Sequence, residues 1–273
     1  MPELPEVETI VRGLRPRLEG RPIRAVWGSG LALRLARPVA LRRLRALCVG
    51  QRFASIGRRG KYILLATGSE AGVSVHLGMS GRLRLQPARE PRPDHTHVVF
   101  TLDRGDELRF IDPRRFGSVT PAARLATLPE LAHLGLDTLS ELDVEELARR
   151  LDGVRAPIKA FLLDQKRIAG LGNIYVSEAL HRAAIHPGAR AGQVRARAAA
   201  LLDGIRGALE SGIANRGTTL RDYVDADGSE GDNLNALLVY GREDLPCPRC
   251  GTPIRRRVDS ARSTFFCPAC QKR

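Results

Sequence analysis

Lysine is nearly absent from this chain of 273 residues, occurring only at Lys61, Lys159, Lys166 and Lys272. Arginine stands almost everywhere else that a cation is called for. A lysine kept against that background points to a need for a titratable amine or a compact charge, which singles out Lys61. No apolar run comes near 18 residues, so no membrane-spanning helix is expected. No signal-peptide pattern is present either, because the N-terminus opens acidic and proline-rich. Internal repeats and low-complexity tracts are also lacking. These absences lead to the expectation of a soluble, intracellular, cytoplasmic protein without a membrane partner.

What is present suits a polyanionic partner, most simply nucleic acid. The net charge is +14 and the isoelectric point is near 10.6. An arginine-rich composition would produce the same excess without any such partner. The length allows two domains and a sizeable core, and the hydrophobic fraction of 43% marks a globular chain.

The N-terminal stretch Met1-Pro2-Glu3-Leu4-Pro5-Glu6-Val7 carries the first chemical signal. Removal of Met1 would leave Pro2 with a free secondary amine. An α-amino group has a pKa of roughly 7.7–8, so a useful neutral fraction exists near pH 7. Such an amine can attack a sugar carbon and form an iminium, and the adjacent Glu3 could move protons. A proline at position 2 is more often incidental. After Pro5, the apolar residues Val7, Ile10, Val11, Leu14 and Leu18 fall on one face of a helix, with Pro5 at its first position and Glu6 and Glu8 near its positive end.

From about 22 to 120 the pattern changes to short alternating runs. Strands are expected at 62–65, 73–77 and 83–85, and a hairpin at 97–111 turning on Asp103-Arg104-Gly105-Asp106. Strands this close without intervening helices suggest an antiparallel sandwich or barrel. Trp27 and Cys48 are expected in the core. Residues 121–142 read as a connection. Asp143 and Glu146 then open a helix running to Leu151, Pro157 starts another with Ile158, Phe161 and Leu162 inward, and Ile174 to Ala184 is helical. A long helix with Val194, Ala198, Leu201, Ile205 and Leu209 on one face follows.

The C-terminal segment has the spacing of a four-cysteine zinc site: Cys247-x2-Cys250, sixteen residues, Cys267-x2-Cys270. In an intracellular chain, paired CxxC motifs favour metal over disulfides. Four thiolates leave no open position for water, which makes the zinc structural. Ile254, Val258, Phe265 and Phe266 alternate like the interior of a hairpin, and Arg255, Arg256, Arg257 and Arg262 would suit phosphate contact or a plain solvated loop.

Three further stretches admit two readings each, and a fourth suits DNA contact. Gly170-Leu171-Gly172-Asn173 suits a helix C-cap or a phosphate site at the start of the next helix. Lys61 suits a solvated strand edge or a charge aimed into a cleft. Met79, within Leu77-Gly78-Met79-Ser80-Gly81, suits the core or a wedge between base pairs. Arg114 and Phe116, within Asp112-Pro113-Arg114-Arg115-Phe116-Gly117, pair a cation with an aromatic as DNA stacking requires. His95 and His97 flank Thr96 and read as polar contacts, not metal ligands.

With these motifs assembled, the whole chain resembles the formamidopyrimidine-DNA glycosylase family (Fpg/MutM, of the Fpg/Nei group). The resemblance rests on Pro2 to Glu8, Lys61-Tyr62, His76 to Gly81, Asp112 to Gly117, Gly170 to Tyr175, Gly217 to Leu220, Val239 to Arg242 and the cysteine finger. It implies an α+β multidomain fold. An N-terminal antiparallel β-sandwich flanked by helices would occupy 1–120 and a linker 121–142. A helix–two-turn–helix DNA-binding domain would occupy 143–240 and the zinc finger 241–273, with damaged double-stranded DNA in the cleft and the protein a monomer. The resemblance assigns Pro2 as Schiff-base nucleophile, Glu3 as proton donor, Lys61 as proton donor for β-elimination and Arg262 for δ-elimination. Asn173 and Arg262 match phosphate clamps, and His95, Arg114 and Arg155 match DNA contacts. Met79, Arg114 and Phe116 match the residues that fill the gap left by a flipped base. A single structural Zn2+ on Cys247, Cys250, Cys267 and Cys270 completes the set.

Two departures bear on substrate preference. Gly231-Asp232-Asn233-Leu234 replaces a Gly-Tyr-Phe-like segment, and Arg221 replaces a frequent lysine after Thr218-Thr219-Leu220. Endonuclease VIII-like action on oxidised pyrimidines is the nearest alternative, opposed by Leu4 and by the intact Met79, Arg114 and Phe116 set. A non-catalytic damage-binding zinc protein predicts loss of Pro2, Glu3 or Lys61, and all three are present. A zinc-ribbon module for RNA or ribosomes leaves the N-terminal motif without a role.

Overall fold

Glu3 caps helix α1 (Leu4–Leu18), in which the expected stripe of Val7, Ile10, Val11, Leu14 and Leu18 is fully buried. The helix starts one residue before Pro5, which therefore takes its second position. There the missing N–H costs nothing, since first-turn amides have no intrahelical partner. The structure, a computed structural model, describes residues 1–34 and 38–272. It divides into two compact units: Met1–His133 with Asn215–Asp232, and Leu134–Ala214 with Asn233–Arg273.

The described residues of the first unit form eight strands: β1 (Ile23–Gly28), β2 (Ser55–Arg59), β3 (Tyr62–Ala66), β4 (Gly72–His76), β5 (Arg82–Pro87), β6 (Thr96–Leu102), β7 (Asp106–Ile111) and β8 (Ser118–Ala122). They form two four-stranded antiparallel sheets, ordered β1-β6-β7-β5 and β2-β3-β4-β8. Residues of both sheets and of α1 enclose one core, in which Ile63, Val73 and Val75 meet Val98, Phe100 and Phe110. This is the sandwich that strand alternation predicted.

Three features of this unit differ from expectation or were not foreseen. A helix, α2 (Leu41–Cys48), interrupts the strands; its arginines obscured a short apolar face of Leu44 and Cys48. Trp27 is not in the core. Val26 points inward on β1, so its neighbour Trp27 points outward, 39% exposed, with the Arg92 guanidinium carbon 4.9 Å from its ring centre. Lastly, Asn215–Asp232 packs here although it follows the helical half in sequence, and Tyr223 and Ala226 enter the sandwich core. A short helix, α3 (Pro129–Ala132), closes the unit.

The second unit is mainly helical: α4 (Val144–Leu151), α5 (Ile158–Leu163), α6 (Asn173–Arg182), α7 (Ala191–Val194) and α8 (Ala198–Ala214), with a two-strand parallel pair, β9 (Leu136–Asp137) and β10 (Ile168–Ala169). The Asp143 carboxylate accepts the Glu146 N–H at 2.8 Å and caps α4, as its motif predicted. The long helix expected from Val194 is broken by a 3-10 turn at Arg195–Arg197. Helices α6 and α8 pack tightly because Gly212 has no side chain: a Cβ there would lie 2.5 Å from the Tyr175 ring.

The finger is a hairpin of β11 (Arg255–Asp259) and β12 (Arg262–Phe266), with Ser260 and Ala261 both at positive φ, the conformation of a tight two-residue hairpin turn. Ile254 and Phe265 pack with Cys247, Cys267 and Val239. Val258 is not interior, as its alternation suggested, but 62% exposed, because it lies one pair from the tip and beyond that small core. Among the described residues, no helix is long and apolar enough to cross a membrane.

Candidate functional site

At the start of α1 two glutamates cap each other. The Glu3 side chain accepts the Glu6 backbone N–H, and the Glu3 N–H donates to Glu6 Oε2 at 2.8 Å. The second Glu6 oxygen accepts the Thr218 N–H at 2.7 Å. One buried carboxylate thus joins the chain terminus to Gly217-Thr218-Thr219-Leu220. Pro2 and Glu3 are buried beside it. Further along the same segment, the Gly231 N–H donates to Thr219 Oγ1 at 2.9 Å, so the segment is bonded to itself as well as to α1.

Lys61 sits in the turn between β2 and β3 and is 6% exposed, which excludes the solvated-edge reading. Arg58 secures that turn: it donates to Glu8 of α1 at 3.0 Å and to the Gly60 carbonyl at 2.9 Å. Burial alone would raise the pKa of Glu8, but the hydrogen bonds from Arg12 and Arg58 outweigh it and hold the carboxyl below its usual range. His76 packs against Tyr62 with ring centres 4.7 Å apart and ring planes inclined at 52°. Burial, then the charges of Arg34 and Lys61, push the His76 pKa down to about 3, so the ring is neutral and its Nδ1 accepts the Gly78 N–H at 3.0 Å.

That bond shapes the turn carrying Met79, which is exposed and not in the core. Gly78 has φ +63° there, and a Cβ would lie 2.4 Å from the Phe116 carbonyl carbon. The Met79 turn therefore lies directly against the backbone of the Arg114–Phe116 loop. Asp112 joins the two. Its Oδ1 accepts the Ser80 hydroxyl at 2.6 Å, and its Oδ2 accepts the Gly117 N–H at 2.8 Å. Its own N–H donates to the His95 carbonyl at 3.0 Å. The guanidinium carbon of Arg114 lies 4.7 Å over the exposed Phe116 ring.

His95 itself is exposed, while His97 is buried between Ser29 Oγ and the Asp112 carbonyl. His95, Met79, Arg114 and Phe116 are thus four neighbours of one buried aspartate. Asp112, Ser80 and Glu6 escaped the sequence reading as functional positions. Their place inside the recognised motifs was the available signal.

In the second unit, Gln165 organises the approach to α6. Its amide donates to the Leu163 and Leu171 carbonyls and its Oε1 accepts the Gly170 N–H at 3.0 Å. Gly172 is the N-cap and Asn173 the first residue of α6, which decides against the C-cap reading of 170–173. The Asn173 amide donates to the Ser263 carbonyl at 2.9 Å, and Lys159 Nζ donates to the same oxygen at 2.8 Å. Asn173 is thereby linked to the residue beside Arg262, whose side chain is exposed at the hairpin end. Arg155 is exposed in the stretch entering α5 and takes no part in that link. Glu178 of α6 accepts the N–H groups of Leu238, Val239 and Tyr240, each at 2.9 Å, which fixes the start of Val239-Tyr240-Gly241-Arg242.

The four finger sulfurs all lie within 4.8 Å of one another, with Cys250 to Cys267 at 3.5 Å and Cys247 to Cys270 at 4.0 Å. Zinc–sulfur bonds of about 2.3 Å in a tetrahedron require sulfur separations of roughly 3.8 Å. The set fits one zinc ion.

Comparison with known proteins agrees with this arrangement along the whole chain. Residues 1–119 match the formamidopyrimidine-DNA glycosylase N-terminal domain, 134–224 the formamidopyrimidine-DNA glycosylase H2TH domain, and 244–273 the zinc finger found in FPG and IleRS. A formamidopyrimidine-DNA glycosylase of Rhizorhabdus wittichii is 48% identical over 276 residues, covering 100% of both chains. One from Desulforamulus reducens is 45% identical, covering 100% of this chain and 99% of its own. Among solved structures, a complex of a Lactococcus lactis FPG mutant with Fapy-dG-containing DNA superposes with a TM-score of 0.89 at 33% identity, covering 100% of both chains. MutM in complex with carbocyclic 8-oxo-G-containing DNA gives 0.88 at 33%, again over 100% of both.

Proposed function

The chain belongs to the formamidopyrimidine-DNA glycosylase family, and on that premise we propose that it is a bifunctional DNA glycosylase and AP lyase of base-excision repair. It removes oxidised purines, 8-oxoguanine and formamidopyrimidines, from duplex DNA and cleaves the strand by β,δ-elimination. The observation that carries this reading is the buried, mutually capped pair of Glu3 and Glu6, which holds Pro2 at a fixed place at the head of α1.

A glycosidic carbon inside a duplex is out of reach, so the damaged nucleotide is turned out at a cost of a few kcal/mol. Met79, Arg114 and Phe116 fill the gap, and Asp112 keeps their two loops in register. With Met1 removed, the Pro2 nitrogen attacks C1′. The bond from C1′ to the base breaks and the base leaves with a proton; the nitrogen, having given up its own proton, then expels the ring oxygen O4′, which is protonated as the sugar opens, and an iminium to C1′ results. Glu3 supplies or relays the proton. The iminium acidifies the C2′ protons; loss of one expels the 3′ phosphate, with Lys61 as proton donor. A second elimination expels the 5′ phosphate, with Arg262 in that role. Asn173, Arg262, His95, Arg114 and Arg155 contact the DNA backbone.

The zinc ion on Cys247, Cys250, Cys267 and Cys270 cross-links the finger and has no open position for chemistry. In sequence we assign the catalytic module to 1–120, the linker to 121–142, the helix–two-turn–helix module to 143–240, whose segment Asn215–Asp232 packs with the first unit, and the finger to 241–273. The protein acts as a monomer in the bacterial cytoplasm, on nucleoid DNA.

Borohydride trapping on duplexes containing 8-oxoguanine opposite cytosine, dihydrothymine or an abasic site tests the proposal, with mass mapping of the adduct. A covalent adduct at Pro2 on the 8-oxoguanine duplex is expected. Trapping only on dihydrothymine would transfer the protein to oxidised pyrimidines, and no adduct on any duplex would remove the enzyme reading.

A further inference from the structure

Helix α6 begins at Asn173 and ends against the metal site. His181, in its last turn, is 1% exposed, and its Nε2 lies 3.4 Å from Cys247 Sγ. The other ring nitrogen, Nδ1, is also buried and has no hydrogen-bond partner among the described residues. These two facts select a tautomer. A zinc-bound cysteine is a thiolate and has no proton to give, so the contact is a hydrogen bond only if Nε2 carries one. The opposite tautomer would set a ring lone pair against an anionic sulfur and bury an unpaired N–H at Nδ1. An orphaned buried donor is rarer and costlier than an under-satisfied acceptor.

Other contacts tether the finger to the same region without reaching sulfur. The Arg249 guanidinium, between the first two cysteines, donates to the Arg182 carbonyl at 3.2 Å. Gln271 accepts the Cys267 N–H at 2.8 Å and donates to the Ile185 carbonyl at 2.9 Å. These bonds place the backbone of the finger; His181 acts on a ligand atom.

We propose that His181 is a positioning residue of the zinc centre, donating Nε2–H to the Cys247 thiolate and tying the metal to the helix that carries Asn173. The bond draws charge from the sulfur, which lowers its basicity and its susceptibility to proton- or chelator-driven release. It also adds a point of attachment between α6 and the finger, His181 on the metal ligand, to those of Asn173 on the hairpin carbonyl beside Arg262 and of the Arg182 carbonyl under Arg249. The inference rests on the zinc centre and is independent of the glycosylase reading, since none of the three readouts below uses DNA.

Nitrogen NMR of the unmutated, zinc-loaded protein reads the tautomer directly. A proton on Nε2 and a bare Nδ1 are expected; a proton on Nδ1 overturns the proposal. In His181→Phe the ring remains and the donor is lost. Release of zinc to a colorimetric chelator should become on the order of 10-fold faster, the lower end of the usual effect of outer-shell partners on metal affinity. In the cobalt-substituted variant the sulfur-to-metal charge-transfer band should move to lower energy, because the sulfur is more electron-rich. A band and release rate unchanged from the parent protein would overturn the assignment. Should His181→Phe fail to fold, the tautomer in the parent protein decides the matter.

Discussion

The hydroxyl of Ser80 donates to the carboxylate of Asp112 at 2.6 Å, both side chains being buried. This one bond joins the turn carrying Met79 to the loop carrying Arg114 and Phe116. If the joint sets the wedge geometry, Asp112→Asn should impair base excision more than the lyase step. Oδ1 of Asp112 also accepts the Arg114 N–H at 3.3 Å, so in either orientation a buried amide turns its NH2 against a backbone N–H, that of Arg114 or of Gly117, and an unmatched buried donor costs about 1–3 kcal/mol. Excision of 8-oxoguanine from duplex should fall roughly 10-fold or more, as each 1.36 kcal/mol lost from the transition state costs a factor of ten. Trapping on a preformed abasic site in single-stranded DNA should change little. Equal loss on both substrates would mean that Asp112 acts on overall stability alone.

Glu3→Gln separates capping from proton transfer. The amide oxygen can still accept the Glu6 N–H, so the thermal midpoint should stay near that of the parent protein. Single-turnover excision should nevertheless drop by about 10²- to 10⁴-fold, the usual contribution of a positioned acid or base.

Acid should destabilise the first unit through His76. Its folded pKa of about 3 lies below the unfolded 6.5, with burial as the main cause. The unfolded chain therefore binds the extra proton between these values. The stability contribution is complete above 6.5 and is lost as pH falls from there towards 3. Between pH 7 and pH 5 this loss is on the order of 2 kcal/mol. Urea unfolding of the parent protein and of His76→Asn at both values checks it: the variant should be less stable at pH 7 and show a shallower decline.

Zinc removal should abolish duplex binding and leave the sandwich folded. Stripping the metal with a mercurial and a chelator should release one zinc per chain. Amide exchange should then rise in 244–272 and remain slow in the strands of the first unit. Exchange rising throughout would show that the metal supports the entire molecule.

Arg262→Ala should weaken DNA binding and reduce the slope of log K against log salt by about 0.9, the value for one lost phosphate contact. An unchanged slope would take Arg262 out of the phosphate contacts.

Periodicity disclosed α1, because its five inward residues repeat at helical spacing, and CxxC spacing disclosed the metal centre, because four thiolates need only two short loops. Helix α2 was hidden by Arg42, Arg43 and Arg45, which leave too few apolar positions for a period to emerge. Residue type places Trp27 in the core, whereas its direction is set by the pleat of β1, which turns it outward. Asp112 and Glu6 were illegible in another sense. Each carboxylate is defined by N–H or O–H groups from distant parts of the chain, and no local pattern encodes who will donate to it. The pairing of Asn173 with the Ser263 carbonyl has the same character, its partners lying 90 residues apart.

The Glu6–Thr218 bond spans 212 residues, and that span bears on how the protein is made. Synthesis proceeds from the N-terminus, and domains generally fold as they emerge. A nascent chain grown to residue 200 already holds α1 and all eight strands, yet it lacks Tyr223 and Ala226 from the sandwich core and the partner of one Glu6 oxygen. The first unit is therefore finished late, from a segment translated after most of the helical unit. A polypeptide stalled before that point would carry Pro2, Glu3 and Lys61 without the contact that joins the terminus to Thr218, so completion of the site reports completion of translation nearly to the finger.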